Sequence, residues 1–113
     1  MSSENYALFA RAMREKKQIL CNYHNTPRAL CPIILGRTKG AEVALTYQFA
    51  GKSEKGEPVR GGWRCLKLAD VSFARLQEGP WHQGARESGR QSCVEIVDLD
   101  INPDSPYHPQ RRL

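Results

Sequence analysis

Alternation of apolar and polar residues in the first half of this chain limits its fold more than any other feature of the sequence. Between positions 18 and 23, the apolar residues Ile19, Cys21 and Tyr23 alternate with Gln18 and Asn22. A period of two places alternate side chains on one face of a β-strand. The segment is therefore predicted to be a half-buried strand, and 113 residues leave room for one domain built on such strands.

Four more segments are predicted to be strands. They are Arg28–Leu35, a third strand in which Val43, Leu45, Tyr47 and Phe49 share a face, Trp63–Leu68 and Val71–Leu76. Short polar turns follow the first two strands, beginning with the turn at residues 24–27, so the first three strands are predicted to form an antiparallel meander. Only Ala69 and Asp70 separate the last two, which predicts a tight hairpin. Five strands of this kind predict a small barrel.

The two ends of the chain differ from this pattern. Ser2 or Ser3 precedes a segment in which Tyr6, Phe9, Ala10 and Met13 recur at helical spacing, so one amphipathic helix is predicted there. Cys93–Ile101 reads as a further extended segment, and the proline-rich end of the chain is expected to be poorly ordered. We expect a mainly β (α+β) protein with an N-terminal helix at 1–16, a barrel domain at 17–101 and a disordered tail at 102–113.

The cysteines and the apolar runs indicate a compartment. The four cysteines form no CxxC pair, and the first residues lack the apolar core of a signal peptide. The longest apolar run, Ala29–Leu35, contains a proline and is far shorter than the roughly 20 residues of a membrane span. The sequence therefore predicts a cytoplasmic protein with four free thiols and no association with a membrane.

Charge is distributed unevenly over the chain, whose formal net charge is +5. Residues 11–67 hold twelve basic and four acidic side chains, whereas residues 70–110 hold three basic and seven acidic ones. Basic clusters attract phosphate without regard to sequence, so an anionic partner is one interpretation of this asymmetry. An ordinary solvated surface is the other.

Residues 51–62 are rich in glycine and charge, and they are predicted to form a mobile loop. This is the segment best suited to become ordered over a ligand. Ser53, Lys52 and Lys55 are candidate phosphate contacts within it, although ordinary solvated loop residues have the same composition.

Taken in order, these elements resemble the WYL domain family. The resemblance rests on Ile19–Tyr23, Arg28–Pro32, residues 40–48 and Trp63–Val71, and it extends from about Lys17 to Leu76. Tyr47 and Gln48, followed by the glycine-rich loop and Gly62-Trp63-Arg64, are similar to short stand-alone bacterial members. The triplet that names the family falls on Val43-Ala44-Leu45, which retains the leucine.

The resemblance implies a five-stranded antiparallel barrel of the Sm-like or SH3-like kind, used for ligand sensing. Family members usually lie beside a helix-turn-helix in bacterial transcription regulators, and some contact single-stranded nucleic acid. Only one helix is predicted here, whereas reading a major groove takes a second helix positioned against the first. Direct sequence-specific binding to DNA is therefore not expected.

Seven residues are candidate ligand contacts: Arg64, Arg28, Tyr47, Tyr23, Gln48, Ser53 and Trp63. Arg64 alternates onto the face of Leu66, so it is either an inward cation that needs an anionic or carbonyl partner or a barrel-end residue that reaches water. Tyr47 and Trp63 offer rings for stacking on a base, and each can equally belong to the core.

Catalysis finds little support in the sequence. His24, His82 and His108 lie in predicted turns or in the tail, and the sequence fixes no nucleophile or base beside them. We therefore predict a protein that is not an enzyme and has no catalytic residue, metal site or cofactor. Three hypotheses stay open: a sensor of an anionic small molecule or nucleotide, a binder of single-stranded nucleic acid, and an interaction domain that forms a homo-oligomer or binds a partner protein.

Overall fold

One helix precedes six strands in the part of the chain that the computed structural model describes, residues 3–82 and 93–101. The elements are α1 (Glu4–Glu15), β1 (Gln18–Tyr23), β2 (Thr26–Thr38), β3 (Ala41–Gly51), β4 (Trp63–Lys67), a 3₁₀ helix (Leu68–Asp70), β5 (Val71–Gln77) and β6 (Ile96–Asp100). The helix in this part of the chain is too short to cross a membrane. The predicted tail at 102–113 and part of the predicted loop before Cys93 lie outside the described residues.

Helix α1 begins after Ser3, one of the two serines that the sequence offers as its cap. The Ser3 hydroxyl accepts a hydrogen bond from the Tyr6 backbone N–H at 3.1 Å, which satisfies a donor that the first helical turn leaves without a partner. Lys16 ends the helix in the left-handed conformation, with φ of 54°. Between these caps, Phe9 and Met13 are fully buried, and this face packs against β2 and β5.

The six strands form an antiparallel sheet in the order β4-β3-β2-β1-β5, with β6 paired to β2. Strand β2 is long enough to have two partners on one side. Its first residues pair with β1, from Thr26 to Leu30, and its last with β6, from Ile34 to Arg37. Pro32, which has no N–H to donate, lies in the interval between these two partners.

The turns between the first three strands are tighter than predicted. His24 and Asn25, with φ of 49° and 63°, form a two-residue turn, and Lys39 and Gly40 form the next one with φ of 53° and 82°. Two positive φ values are the mark of the type I′ turn, whose twist matches that of the flanking strands. Strand β2 therefore begins at Thr26, within the turn that the sequence predicts at 24–27.

The predicted hairpin between the last two strands is wrong. Leu68–Asp70 form a 3₁₀ helix, after which β5 pairs with β1, while β4 pairs with β3. Strands β4 and β5 therefore lie at the two ends of the strand path although only three residues join them. The sheet has to curl so that its edges approach, and the Tyr23 hydroxyl accepts a hydrogen bond from the Lys67 N–H at 3.1 Å at this corner.

The mainly β class with one N-terminal helix is confirmed, whereas the closed five-stranded barrel is not. Within the described strands, β4 and β5 do not pair, so the sheet remains open along this edge. The sequence indicates the strands correctly. The short Ala69-Asp70 link is equally compatible with a hairpin, in which β5 would pair with β4, and with a turn after which β5 pairs with β1.

Apolar residues cover the sheet on both faces. One cluster lies between α1 and the face of the sheet that the helix covers, and it includes Phe9, Ile19, Leu30, Leu35 and Leu66. The other includes Ile33, Ile34, Val43, Leu45, Val94 and Val97, with Trp63 and Trp81 packed against it. Because β2 contributes to both clusters, its sequence lacks alternation and is a nearly continuous apolar run.

The prediction of four free thiols is wrong. Cys65 on β4 and Cys93, just before β6, form a disulfide with a Cα–Cα distance of 5.6 Å, while Cys21 and Cys31 are free and buried. Spacing along the chain could not reveal this pair, because the two residues meet only when residues 93–100 return to the sheet. Four free thiols were part of the argument for a cytoplasmic location. Because two of them are bonded, that part of the argument is weaker, and the location stays a prediction.

Strand β5 contains a strained residue. Phe73 has φ of 52°, and it lies where the pairing of β1 with β5 shifts register between Leu20 and Asn22. Its side chain is 82% exposed. A bulky residue rarely adopts the left-handed conformation, because its Cβ approaches the following carbonyl oxygen.

Reduction of the Cys65–Cys93 disulfide should destabilise the protein by roughly 3 to 4 kcal/mol. The bond closes a loop with a sequence separation of 28, and it thereby reduces the conformational entropy of the unfolded chain. Denaturant unfolding with and without a thiol reductant measures the difference. The double variant Cys65→Ser/Cys93→Ser is the control and should not respond to the reductant. An unchanged unfolding midpoint for the reduced wild type would contradict the expectation.

Phe73→Gly should raise the free energy of unfolding by about 0.5 to 1 kcal/mol, since relief of left-handed strain exceeds the entropy that glycine adds to the unfolded chain. Thermal or urea unfolding checks this. Ser72→Gly is the matched control, because Ser72 is an exposed neighbour without a positive φ. That control should destabilise, and a stabilisation of equal size in both variants would mean that strain at Phe73 is not the cause.

Candidate functional site

A cleft of about 430 Å³ opens where β1, β2 and β4 meet the loop at residues 52–62. It contains four of the seven predicted contact residues: Tyr23, Arg28, Ser53 and Arg64. His24, Glu54 and Lys55 also line it. We call it the Arg28 cleft, because the buried cation of Arg28 lies in it.

Arg28 is a buried cation. Its side chain is 3% exposed, and its guanidinium lies over the Tyr23 ring at 5.0 Å from the centroid. Nε donates to the Thr26 hydroxyl at 3.1 Å, and Nη2 donates to a Glu54 carboxylate oxygen at 3.2 Å. A charge removed from water in this way requires polar partners, and these contacts supply them.

Local backbone geometry explains how the loop comes so close to Arg28. Gly51, the last residue of β3, pairs with Arg28 and has φ of 97°. A Cβ atom on Gly51 would collide with the Pro27 carbonyl and the Arg28 Cα. Glycine at position 51 is therefore what allows the chain to leave β3 directly beside Arg28.

His24 is held between two carboxylates at the rim of the Arg28 cleft. Its Nδ1 lies 2.7 Å from a Glu54 oxygen, and its Nε2 lies 3.1 Å from an Asp70 oxygen. The ring also stacks on Tyr23, with 4.1 Å between centroids. Hydrogen bonding to Asp70, and then to Glu54, raises the pKa of His24 above its ordinary value.

The loop at residues 52–62 is held by hydrogen bonds within itself and to the strands beside it. Ser53 donates its N–H to the Glu57 carbonyl at 2.8 Å and accepts from the Gly56 N–H at 2.8 Å. The Ser53 hydroxyl accepts from the Glu57 N–H at 3.3 Å. These bonds form a small folded unit that carries Glu54 and Lys55 to the cleft.

Arg64 is the second arginine of the Arg28 cleft, and it is half-buried on β4. Its Nη1 donates to the Trp63 carbonyl at 2.8 Å. Within residues 3–82 and 93–101, no carboxylate forms an ion pair with it. A side chain at position 62 would meet the Arg64 guanidinium, so Gly62 leaves space for it.

Tyr47, Trp63 and Gln48 are not brought into the cleft. Tyr47 and Trp63 contact each other edge to face, with 5.5 Å between ring centroids, on the side of the cluster that contains Val43 and Leu45. Trp63 packs against that cluster, and Tyr47 is half-buried. Gln48 is fully buried, and its amide donates to the Ala50 and Lys52 carbonyls, so it supports the base of the loop.

Two acidic residues of the site, Glu54 and Asp70, were missed by sequence reasoning, and His24 was considered only as a catalytic residue. Their side chains come together from a turn, a loop and a 3₁₀ helix, at positions 24, 54 and 70. Nothing in the local spacing of these residues indicates the contact. The sequence signal that could have pointed to His24 as a site residue was the His24-Asn25 turn, which places the His24 side chain beside the end of β1.

A second polar cluster ties α1 to β2, β3 and β6. The Tyr6 hydroxyl donates to Asp98, which also accepts from Arg37 Nη1 at 2.9 Å, and Glu42 accepts from the Ser3 N–H at 3.0 Å. Burial, and then the hydrogen bond to Asp98, raises the pKa of Tyr6 to about 12. This cluster has a partner for each of its charged groups, and it secures the helix to the sheet.

The comparisons with known proteins leave the family open: family models, curated proteins and solved structures gave no significant match to the chain. The resemblance to the WYL family therefore stays a prediction. Within the described residues, no group of three or more His, Cys, Asp or Glu side chains is arranged to hold a metal ion.

The contribution of His24 to stability should depend on pH. A raised pKa in the folded protein means that the contribution is complete below the ordinary value of 6.5 and is lost as the pH rises through the raised value. His24→Asn, which tolerates the positive φ, should remove this preference for low pH.

Unfolding measured at about pH 5.5 and about pH 8.5 tests this expectation. His82→Asn is the control, because His82 stacks on Phe49 and does not line the Arg28 cleft. Between the two pH values, the free energy of unfolding should fall more for wild type and for His82→Asn than for His24→Asn. Equal losses in all three proteins would show that the two carboxylates do not stabilise the His24 imidazolium.

Proposed function

We propose that this protein is a binding module for a small anionic molecule, and that the Arg28 cleft is its site. The observation that carries the proposal is the presence of two arginines, Arg28 and Arg64, in one cleft together with Lys55 and the Ser53 hydroxyl. Arginine presents planar donors that match phosphate and carboxylate in a bidentate way. A volume of about 430 Å³ lies in the range of sites for small ligands.

The two arginines differ in a way that suits this role. Arg28 is surrounded by protein, where the low dielectric strengthens its attraction for an anion, and it is fixed by Thr26 and Tyr23. Arg64 is half-buried and, among the described residues, forms no ion pair with a carboxylate; its Nη1 donates to the Trp63 carbonyl, which leaves the positive charge of the guanidinium for a ligand to balance. We propose that the first sets the position of the anion and that the second supplies additional affinity.

A small molecule or nucleotide fits the cleft better than single-stranded nucleic acid. Binding along a strand combines a basic groove with aromatic rings on which successive bases stack. Tyr47 and Trp63 contact each other instead, and the exposed ring of Phe73 does not line the Arg28 cleft. We therefore place nucleic acid second among the anionic partners.

We also propose that the role is binding and regulation rather than catalysis. Each ring nitrogen of His24 is already paired with a carboxylate, so neither is placed to activate a nucleophile. A ligand sensor of the WYL type, built on a barrel of the Sm-like kind, is the interpretation we favour. The order of the helix and strands supports it, as does the meeting of Tyr23, Arg28 and Arg64 in one cleft.

An interaction or oligomerisation domain is the second candidate. Phe73 is 82% exposed on β5, which is at the end of the strand path. An exposed strand edge with a large apolar side chain is a surface that another chain can extend. A dependence of mass on protein concentration, abolished by Phe73→Ser, would favour this candidate.

Arg64→Ala should leave the fold intact and weaken binding of an anionic ligand by about tenfold or more, since a charge-assisted hydrogen bond contributes roughly 1.5 to 3 kcal/mol. Thermal shift against inorganic phosphate, adenosine monophosphate and a short oligothymidylate identifies a binder, and calorimetry then gives its affinity. Added salt should weaken binding by wild type more than by the variant.

Arg14→Ala is the matched control for lost charge, because Arg14 is exposed on α1 and does not line the Arg28 cleft. Its affinity should equal that of wild type. If Arg64→Ala bound the identified ligand with unchanged affinity and salt dependence, the Arg28 cleft would not be the site and the interaction domain would become the better proposal.

A further inference from the structure

One carboxylate of the protein already lies where an anionic ligand would bind. Glu54 accepts a hydrogen bond from Arg28 Nη2 at 3.2 Å, and it lies 2.7 Å from Nδ1 of His24. All three side chains line the Arg28 cleft. Glu54 therefore makes the kind of contacts with the buried arginine that a ligand carboxylate or phosphate would make.

The two partners of this ion pair differ greatly in exposure. The Arg28 side chain is 3% exposed, whereas that of Glu54 is 64% exposed. Arg28 is fixed by the strand and by its bond to Thr26, while Glu54 extends from a loop and its side chain is mostly exposed. Glu54 is thus the partner that can leave, and Arg28 is the partner that stays.

Burial explains why an anion has to be present in the absence of ligand. A buried guanidinium without a compensating charge is strongly unfavourable. Glu54 compensates Arg28 in the free protein, and an incoming anion can replace it without leaving the cation bare at any stage.

We infer that Glu54 is a tethered competitor that occupies the anion position of the Arg28 cleft and that a ligand binds by displacing it. This inference rests on the proposed function and describes the regulation of the same site. It also narrows the class of ligand. A phosphate group with close to two negative charges replaces a single carboxylate more readily than another carboxylate does, so a phosphate or phosphate monoester is the expected ligand.

Removal of the competitor should strengthen binding. Glu54→Gln retains the shape of the side chain but loses the charge, and it should bind inorganic phosphate about three- to tenfold more tightly than wild type, because the fraction of clefts free to bind increases. Titration with phosphate, followed by nuclear magnetic resonance of the arginine side chains, measures the affinities. In wild type, the carboxylate carbon resonance of Glu54 should shift as phosphate binds.

Glu57→Gln is the matched control, because it removes the same charge from the same loop at a residue that does not line the cleft. Its affinity for phosphate should equal that of wild type. Thermal unfolding of both variants establishes that the fold is retained.

The possible results separate this inference from the proposed function. If Glu54→Gln binds phosphate no better than wild type while Arg64→Ala binds it more weakly, the cleft binds anions and the tethered competitor is wrong. Equal tightening in Glu54→Gln and Glu57→Gln would also overturn the inference, since general loop charge would then be the cause. If neither wild type nor Glu54→Gln binds phosphate, the proposed phosphate site fails and the inference fails with it.

Discussion

The hydrogen-bonding requirements of one long strand, β2, determine how the rest of this protein is arranged. β2 runs from Thr26 to Thr38, and its backbone groups have to find partners along 13 residues. β3 satisfies one side for nearly the whole length, while β1 and β6 divide the other side between them. Because β2 is also covered on both faces, the helix and the segment around Cys93 each have a fixed place against it.

The Arg28 cleft follows from this arrangement. Arg28 lies near the start of β2, where the turn at His24 brings in β1 and where Gly51 releases the loop after β3. The cation is therefore enclosed by the same strands that form the sheet, and its position is as rigid as theirs. The anion that balances it comes from the loop, and its side chain is mostly exposed. A fixed cation opposite a movable anion is an arrangement suited to exchange of the anion.

Much of the fold could be predicted from the sequence, because strands and helices are encoded by short periodic patterns. The cap at Ser3, the alternation around Cys21 and the loop after β3 are all local signals, and each corresponds to an observed element. Pairing over long distances is not encoded in this way. The return of β5 to β1 and the Cys65–Cys93 bond depend on how the whole sheet curls, which no window of sequence contains.

The candidate site shows the same division between local and distant signals. Arg28, Arg64, Tyr23 and Ser53 could be nominated because the resemblance and the residue chemistry agree, and the structure brings these four together. Tyr47 and Trp63 were nominated on the same grounds, but their rings pack on each other. Whether an aromatic ring at a strand end faces a cleft or a neighbour depends on the opposite strand, here Tyr47 paired with Trp63. Glu54 carries no local signal at all.

The pairing of β6 with β2 also has a consequence for biosynthesis. Residues 34–37 leave the ribosome long before residues 96–100, so during translation the second half of β2 has an edge with no partner from β6. Contacts over such distances form slowly, because a long stretch of chain has to be ordered first. An unpaired apolar edge is a place where nascent chains associate with one another. This edge of β2 is therefore exposed until residues 96–100 have been synthesised, and truncation before residue 96 removes its β6 partner altogether.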